Sequence, residues 1–152
     1  MIEGVTIRAV ARHADARGWL AELYRSDEAP AGQLPVMGYV SFTHPGVVRG
    51  PHEHREQTDW FAFLGPGMFR IWLWDARRGS ATEGRMQRLE AGAERQLLVV
   101  VPPGVVHAYK NIAGQDGMVL NFPNRLYAGE GRREEVDEIR HEDAADSPFV
   151  LA

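Results

Sequence analysis

Residues 46–59 read Gly-Val-Val-Arg-Gly-Pro-His-Glu-His-Arg-Glu-Gln-Thr-Asp, and residues 102–107 read Pro-Pro-Gly-Val-Val-His. His52 and His54 stand two apart, and on an extended strand such side chains project from the same face. Asp59 follows with a carboxylate, and His107 adds a third imidazole about fifty residues later. A strand paired across a barrel can bring that ring to the other two and complete one side of a coordination sphere, with Asp59 balancing the charge. A lone His-x-His is common by chance, so the weight lies on the two half-motifs occurring in order. The bland alternative is a metal-free pocket whose histidines and Asp59 satisfy one another, or act as acid and base.

The rest of the chain reads as strands. Apolar runs bounded by Gly, Pro or Asn occur at 5–10, 18–24, 36–42, 58–64, 68–74, 86–89, 96–101, 105–110 and 118–122, with a turn-rich stretch at 13–17. In 69–74 both faces carry bulk, which predicts a strand covered on both sides, a partner subunit being one candidate cover. Residues 132–142 are charged, with Val136 and Ile139 three apart, the spacing of a short helix. Trp60, Trp72 and Trp74 fit a barrel or dimer core.

The chain has 152 residues, 44% hydrophobic and 25% charged, enough for one core, so a single domain over 1–152 is expected. With no cysteine, any metal would be held by imidazole and carboxylate alone. The net charge of −4 without a Lys/Arg block argues against nucleic acid and favours a small-molecule substrate. No run suits a membrane span or a signal peptide, so a cytoplasmic protein is expected.

The two half-motifs resemble the signatures of the cupin superfamily, an all-β jelly roll or double-stranded β-helix; a short C-terminal helix is expected beside it. That resemblance implies a divalent ion (Fe, Mn, Ni, Co or Zn) on His52, His54, Asp59 and His107, with Glu56 a rival carboxylate. His13, His44 and His141 read as solvated. Further segments resemble the dTDP-4-dehydrorhamnose 3,5-epimerase family: Asp15, Arg17, Gly18, Glu22 and Tyr24; Ser41, Gly46, Val47, Arg49, Gly50 and His52; and Asp75, Arg77, Gly79, Ser80, Thr82 and Gly84.

The family resemblance implies a homodimer and a nucleotide-sugar pocket contacted by Arg17, Glu22, Arg49 and Gln57, with Tyr127 and Trp19 as stacking walls. His52 falls at the position of the family's base, and Asp143, with Asp146 as the spare, aligns with its carboxylate partner. Three positions depart. Asp59 stands where the family has a lysine, His54 where it has glutamine, and Asn121 where it has the proton-returning tyrosine. A lysine would repel a divalent cation, whereas His54 and Asp59 add two donors. The expectation is therefore an epimerase- or isomerase-like enzyme acting on a keto sugar nucleotide, with or without metal. The alternatives are a metal cupin of another class, such as a dioxygenase, and a non-catalytic sugar-nucleotide binder.

Overall fold

A computed structural model describes residues 1–151. Twelve strands form in chain order: β1 Thr6–Ala9, β2 His13–Asp15, β3 Gly18–Leu20, β4 Tyr39–Thr43, β5 Val48–Glu53, β6 Asp59–Phe63, β7 Met68–Asp75, β8 Met86–Gly92, β9 Leu97–Val101, β10 Val105–Asn111, β11 Gly117–Asn121 and β12 Ile139–Arg140. They build two five-stranded sheets, ordered β1-β9-β6-β11-β4 and β12-β5-β10-β7-β8, and a small hairpin β2-β3. Every pairing is antiparallel. This is the all-β jelly roll expected from the sequence.

Period-two alternation builds the core. Phe61 and Phe63 of β6 and Val99 and Val101 of β9 meet Phe69, Ile71 and Leu73 of β7 between the sheets. The residues of opposite parity, Trp60, Ala62, Leu98 and Val100, form a second cluster with Val10, Ala21 and Leu23 on the outer face of the first sheet. Strand β7 is indeed covered on both faces, but its own chain does the covering: Trp72 is buried, and Trp74 packs on Phe149 of the C-terminal tail at 5.7 Å between centroids.

Two expectations fail locally. The stretch at 13–17 holds a strand, β2, turning into β3 through an Asp15 carboxylate that accepts the Arg17 N–H at 2.8 Å. The helix at 132–142 is absent; a single 3-10 turn, Glu130–Arg132, precedes the edge strand β12. Ile139 pairs with Glu53 and Arg140 with His52, so the ladder offered by β5 outweighs a weak helical pattern. No helix among the described residues is long and apolar enough to cross a membrane.

One irregularity aims the site. His52 pairs with His107 while Arg49 pairs with Tyr109, so β5 carries one extra residue against β10. Gly50 sits in that bulge at φ 82°, and a Cβ there would meet the His107 carbonyl oxygen at 2.5 Å. Only glycine lets the two strands approach closely enough to set His52 beside His107.

Candidate active site

β5 and β10 hold His52 and His107 as a direct cross-strand pair, with ring centroids 4.4 Å apart. His54 lies just past the end of β5, and Asp59 opens β6 on the opposite sheet. The donor atoms of His52, His54 and His107 lie within 4.8 Å of one another. Asp59 Oδ2 stands 3.0 Å from His54 Nε2 and 3.5 Å from His107 Nε2. The three imidazoles read from the sequence thus come together, and Asp59 reaches two of them, His54 and His107.

Secondary contacts set their orientation. His54 Nδ1 bonds the Asp137 carbonyl, and His107 Nδ1 bonds that of Val105 at 3.1 Å, so both rings present Nε2 to Asp59. The Asp137 carboxylate also accepts the backbone N–H groups of Arg55, Glu56 and Gln57 at 2.8, 2.9 and 2.9 Å, tying down the loop that carries Gln57. Asp59 Oδ1 accepts from Gln57 Nε2 at 2.9 Å and from Asn121 Nδ2 at 2.8 Å.

Charge is unevenly shared. Burial lowers His52 to about 4 and His107 to about 3, aided by the charge of His54 on the first and of His52 on the second. Burial opposes the charged form of His54 as well, but the hydrogen bond and charge of Asp59 outweigh it and raise His54 to about 9. Asp59 is lowered in turn, its burial overcome chiefly by the His54 hydrogen bond. At neutral pH the cluster is therefore one ion pair flanked by two neutral imidazoles. His107, neutral with its proton on Nδ1, turns a lone pair toward a carboxylate oxygen. Among the described residues the buried His107 Nε2 is left without a hydrogen-bond partner, and the buried Asp59 Oδ2 has His54 Nε2 as its one close polar contact, His107 Nε2 standing farther off.

His52 and His54 open onto a cavity of about 980 Å³ between the sheets, with Arg49, Gln57, Tyr39, Tyr109 and Tyr127 also in its wall. Asn121 lies behind the wall, only 1% exposed. Arg49 also bonds Thr43 Oγ1 and the Phe42 carbonyl, both at 2.9 Å. Arg17 and Glu22 are remote from the cavity: each is exposed and paired locally, with Asp15 and Arg25. Trp19, likewise outside the lining, stacks under Arg12 at 5.0 Å. Glu56 pairs with Arg125 rather than with the histidines. His13 is exposed and His44 pairs with Asp116 on the surface. His141 is not solvated as expected, being half-buried against Phe149 and 2.9 Å from Glu53 Oε1.

The carboxylates brought to His52 are also not those expected. Asp143 and Asp146 are exposed, whereas Glu138 Oε1 and Glu142 Oε1 each lie 3.9 Å from His52 Nδ1. Their origin is the pairing of Arg140 with His52, which puts residues 138 and 142 on the His52 side of β12 and residue 143 on the other. Glu138, Glu142, Asp137 and Tyr39 are site residues that the motifs did not reveal.

Comparison with known proteins gives the family. A profile of the dTDP-4-dehydrorhamnose 3,5-epimerase family matches residues 1–144. The chain is 35% identical over 135 residues to the "Probable low-salt glycan biosynthesis epimerase Agl13" of Haloferax volcanii, covering 88% of this chain and 86% of that one. It is 32% identical over 129 residues to the spore coat polysaccharide biosynthesis protein SpsL of Bacillus subtilis, covering 84% and 83%. The crystal structure of a dTDP sugar isomerase from Desulfovibrio desulfuricans superposes with a TM-score of 0.82 at 22% identity, covering 98% of this chain and 91% of that one, which speaks for the fold. The chain belongs to the dTDP-4-dehydrorhamnose 3,5-epimerase family of isomerases.

Proposed function

We propose that this enzyme inverts a carbon next to the carbonyl of a nucleotide-linked keto sugar, a dTDP-sugar first among candidates, with His52 removing the proton. The observation that carries this is the placement of His52 and His54 in the wall of one large cavity, backed by the buried His107–Asp59 pair. His52 has an available lone pair, and Glu138 and Glu142 stand ready to stabilise the imidazolium as it forms. The charged His54 ring, held between Asp137 and Asp59, puts positive charge in the cavity wall that can stabilise a developing enolate through space, while Asp59 occupies the position of the family's lysine. Family membership favours this isomerase reading over a dioxygenase or a binding module. In the test, protein is incubated in deuterated water with dTDP- and UDP-linked 4-keto-6-deoxy sugars. Deuterium is expected beside the carbonyl, together with inverted product; no incorporation from any of them would overturn the proposal.

A second reading concerns the metal. The unpartnered His107 Nε2 and the nearby Asp59 Oδ2 are what an ion between them would satisfy, and the three imidazole donors, within 4.8 Å of one another, would close by up to about 1.5 Å to reach tetrahedral spacing. His52, His54, His107 and Asp59 fit a divalent ion, which when bound would polarise the sugar carbonyl. His52 would then be engaged as a donor, leaving Glu138 in the same wall to take the proton.

Substrate charge supports a second copy. Seven carboxylates line the cavity (Glu56, Glu130, Glu134, Glu135, Asp137, Glu138 and Glu142) against four arginines (Arg49, Arg55, Arg125 and Arg140), a poor balance for holding a diphosphate. Arg17 at the tip of the β2-β3 hairpin is exposed and held only by its surface pair with Asp15, so it could exchange that partner for a phosphate in a neighbouring chain's cavity. Strand β4 is the open edge of its sheet and exposes Val40 and Phe42. A homodimer would cover these and deliver Arg17 and Glu22. Sedimentation at micromolar concentration should give twice the 17.0 kDa chain mass; a monomer would remove this part of the proposal.

A further inference from the structure

The position where the family carries its proton-returning tyrosine is Asn121, which has no proton to give near neutral pH. The register places Asn121 directly opposite Tyr39 on the neighbouring strand β4. Asn121 Nδ2 donates to the Tyr39 phenol oxygen at 2.8 Å and to Asp59 Oδ1 at 2.8 Å, while its Oδ1 accepts the Trp60 N–H at 3.1 Å. That last bond fixes which end of the amide faces the tyrosine. Because the phenol oxygen accepts from Asn121, its own O–H is left free to point elsewhere, and Tyr39 lines the cavity.

We infer that Tyr39 is the catalytic acid of this enzyme, delivering its phenolic proton to the sugar carbon from the wall opposite His52, with Asn121 as the residue that positions it. This rests on the proton-transfer function proposed above. Tyr39 belongs to the sheet of β4, β11, β6, β9 and β1, and His52 to the sheet of β12, β5, β10, β7 and β8, so the two enter the cavity from facing walls. Inversion needs that arrangement, since a proton must leave one face of the carbon and another must arrive on the opposite face. In the first step the C–H bond breaks, its proton goes to the base, and its electron pair becomes the enolate. In the second the Tyr39 O–H breaks, its proton forms the new C–H bond, and the phenolate is held by the Asn121 N–H. Water entering the cavity reprotonates the phenolate, since the residue as a whole is half-exposed, and no oxidant or reductant is consumed.

The protonation state agrees. Burial raises Tyr39 to about 12, with the charges of Asp59 and Glu138 adding to the effect, so the phenol holds its proton at neutral pH until an enolate calls for it. Tyr109 is a natural control: it lines the same cavity, but it is 6% exposed and its hydroxyl meets Ser41 Oγ at 3.4 Å.

The test uses Tyr39→Phe with whichever keto sugar nucleotide the unmodified enzyme exchanges. Removal of the proton should continue, so the recovered substrate should carry deuterium in its original configuration at a rate within about threefold of the unmodified enzyme. Formation of the inverted product should fall at least about a hundredfold. Tyr109→Phe, in the wall of the same cavity, should change exchange and inversion by the same factor, leaving their ratio within about threefold of the unmodified enzyme. Inversion preserved in Tyr39→Phe would overturn the assignment, as would exchange and inversion falling together, or inversion alone lost in Tyr109→Phe instead. If the unmodified enzyme exchanges no substrate, the proposed function itself fails and the role of Tyr39 goes with it. Exchange without an inversion-specific effect removes Tyr39 alone.

Discussion

His52→Asn is expected to lower both deuterium exchange and inversion by about a thousandfold, within the range that a positioned acid or base contributes. Stability should change by less than about 1 kcal/mol in urea denaturation, because Asn remains polar and the backbone pairing with His107 does not depend on the ring. The large effect follows from geometry. His52 is the imidazole that both opens onto the cavity and has carboxylates within reach of its other nitrogen, Glu138 and Glu142 at 3.9 Å. His107 is 3% exposed and lies outside the lining, and His54 is tied to Asp59. Loss of His52 as an ion donor would have the same consequence for turnover, so the expectation holds under both readings of the metal. A fall of less than tenfold would take His52 out of the chemistry and point to Glu138 as the base.

Strand content and the four-residue cluster were legible in the sequence because both rest on local spacing. The i, i+2 histidines share a face wherever the backbone is extended, and short apolar runs bounded by turn residues mark β6, β7 and β9 with little help from the rest of the chain. The carboxylate partner of His52 was not legible. Between residues 130 and 146 lie eight acidic residues, and which of them reaches the site depends on β12 pairing with β5 in one register. A family alignment chose Asp143; the pairing of Arg140 with His52 selects residues 138 and 142 instead. Tyr39 escaped for a similar reason. Nothing in the local sequence says that position 39 will face position 121, yet that single cross-strand pair turns an apparent loss of the acid into its relocation by one strand.

The same reasoning explains the failed helix. Val136 and Ile139 are spaced for a helical face, but a short, highly charged segment nucleates poorly, and β5 offered an unpaired edge. Once Ile139 and Arg140 join that edge, Asp137 falls where its carbonyl meets His54 and its carboxylate meets three backbone N–H groups. The C-terminal segment thus forms part of the site wall, and its contribution is set by tertiary contacts absent from any local pattern.

Asp59→Ala should be the most destabilising change in the site, about 3–5 kcal/mol near neutral pH in EDTA-treated protein, since it strands the His54 imidazolium without its counter-charge. In a chain of 152 residues that corresponds to a drop in Tm of about 10 °C. Asp59 is 1% exposed and also accepts from Gln57 and Asn121, so two further buried donors lose a partner. Asp59→Asn keeps the shape and removes only the charge, which separates the two contributions. The pH dependence has a definite sign. His54 is raised to about 9, so its share of the stabilisation is complete below its ordinary value near 6.5 and is lost as pH rises through 9. Asp59 is lowered, so its share is present above its ordinary value of 3.8 and is lost on acidification. The gap between the unmodified protein and Asp59→Asn should therefore be widest between about pH 4 and 6.5 and should narrow on either side. A gap that is flat across that range, or below about 1 kcal/mol at pH 6, would show that His54 and Asp59 do not share a charge. Metal adds an independent readout. Under the metal reading, protein purified without chelator should hold one divalent ion per chain and gain stability from it, and Asp59→Ala should lose both. Equal metal content in the two proteins would exclude Asp59 as a ligand while leaving its ion pair with His54 intact.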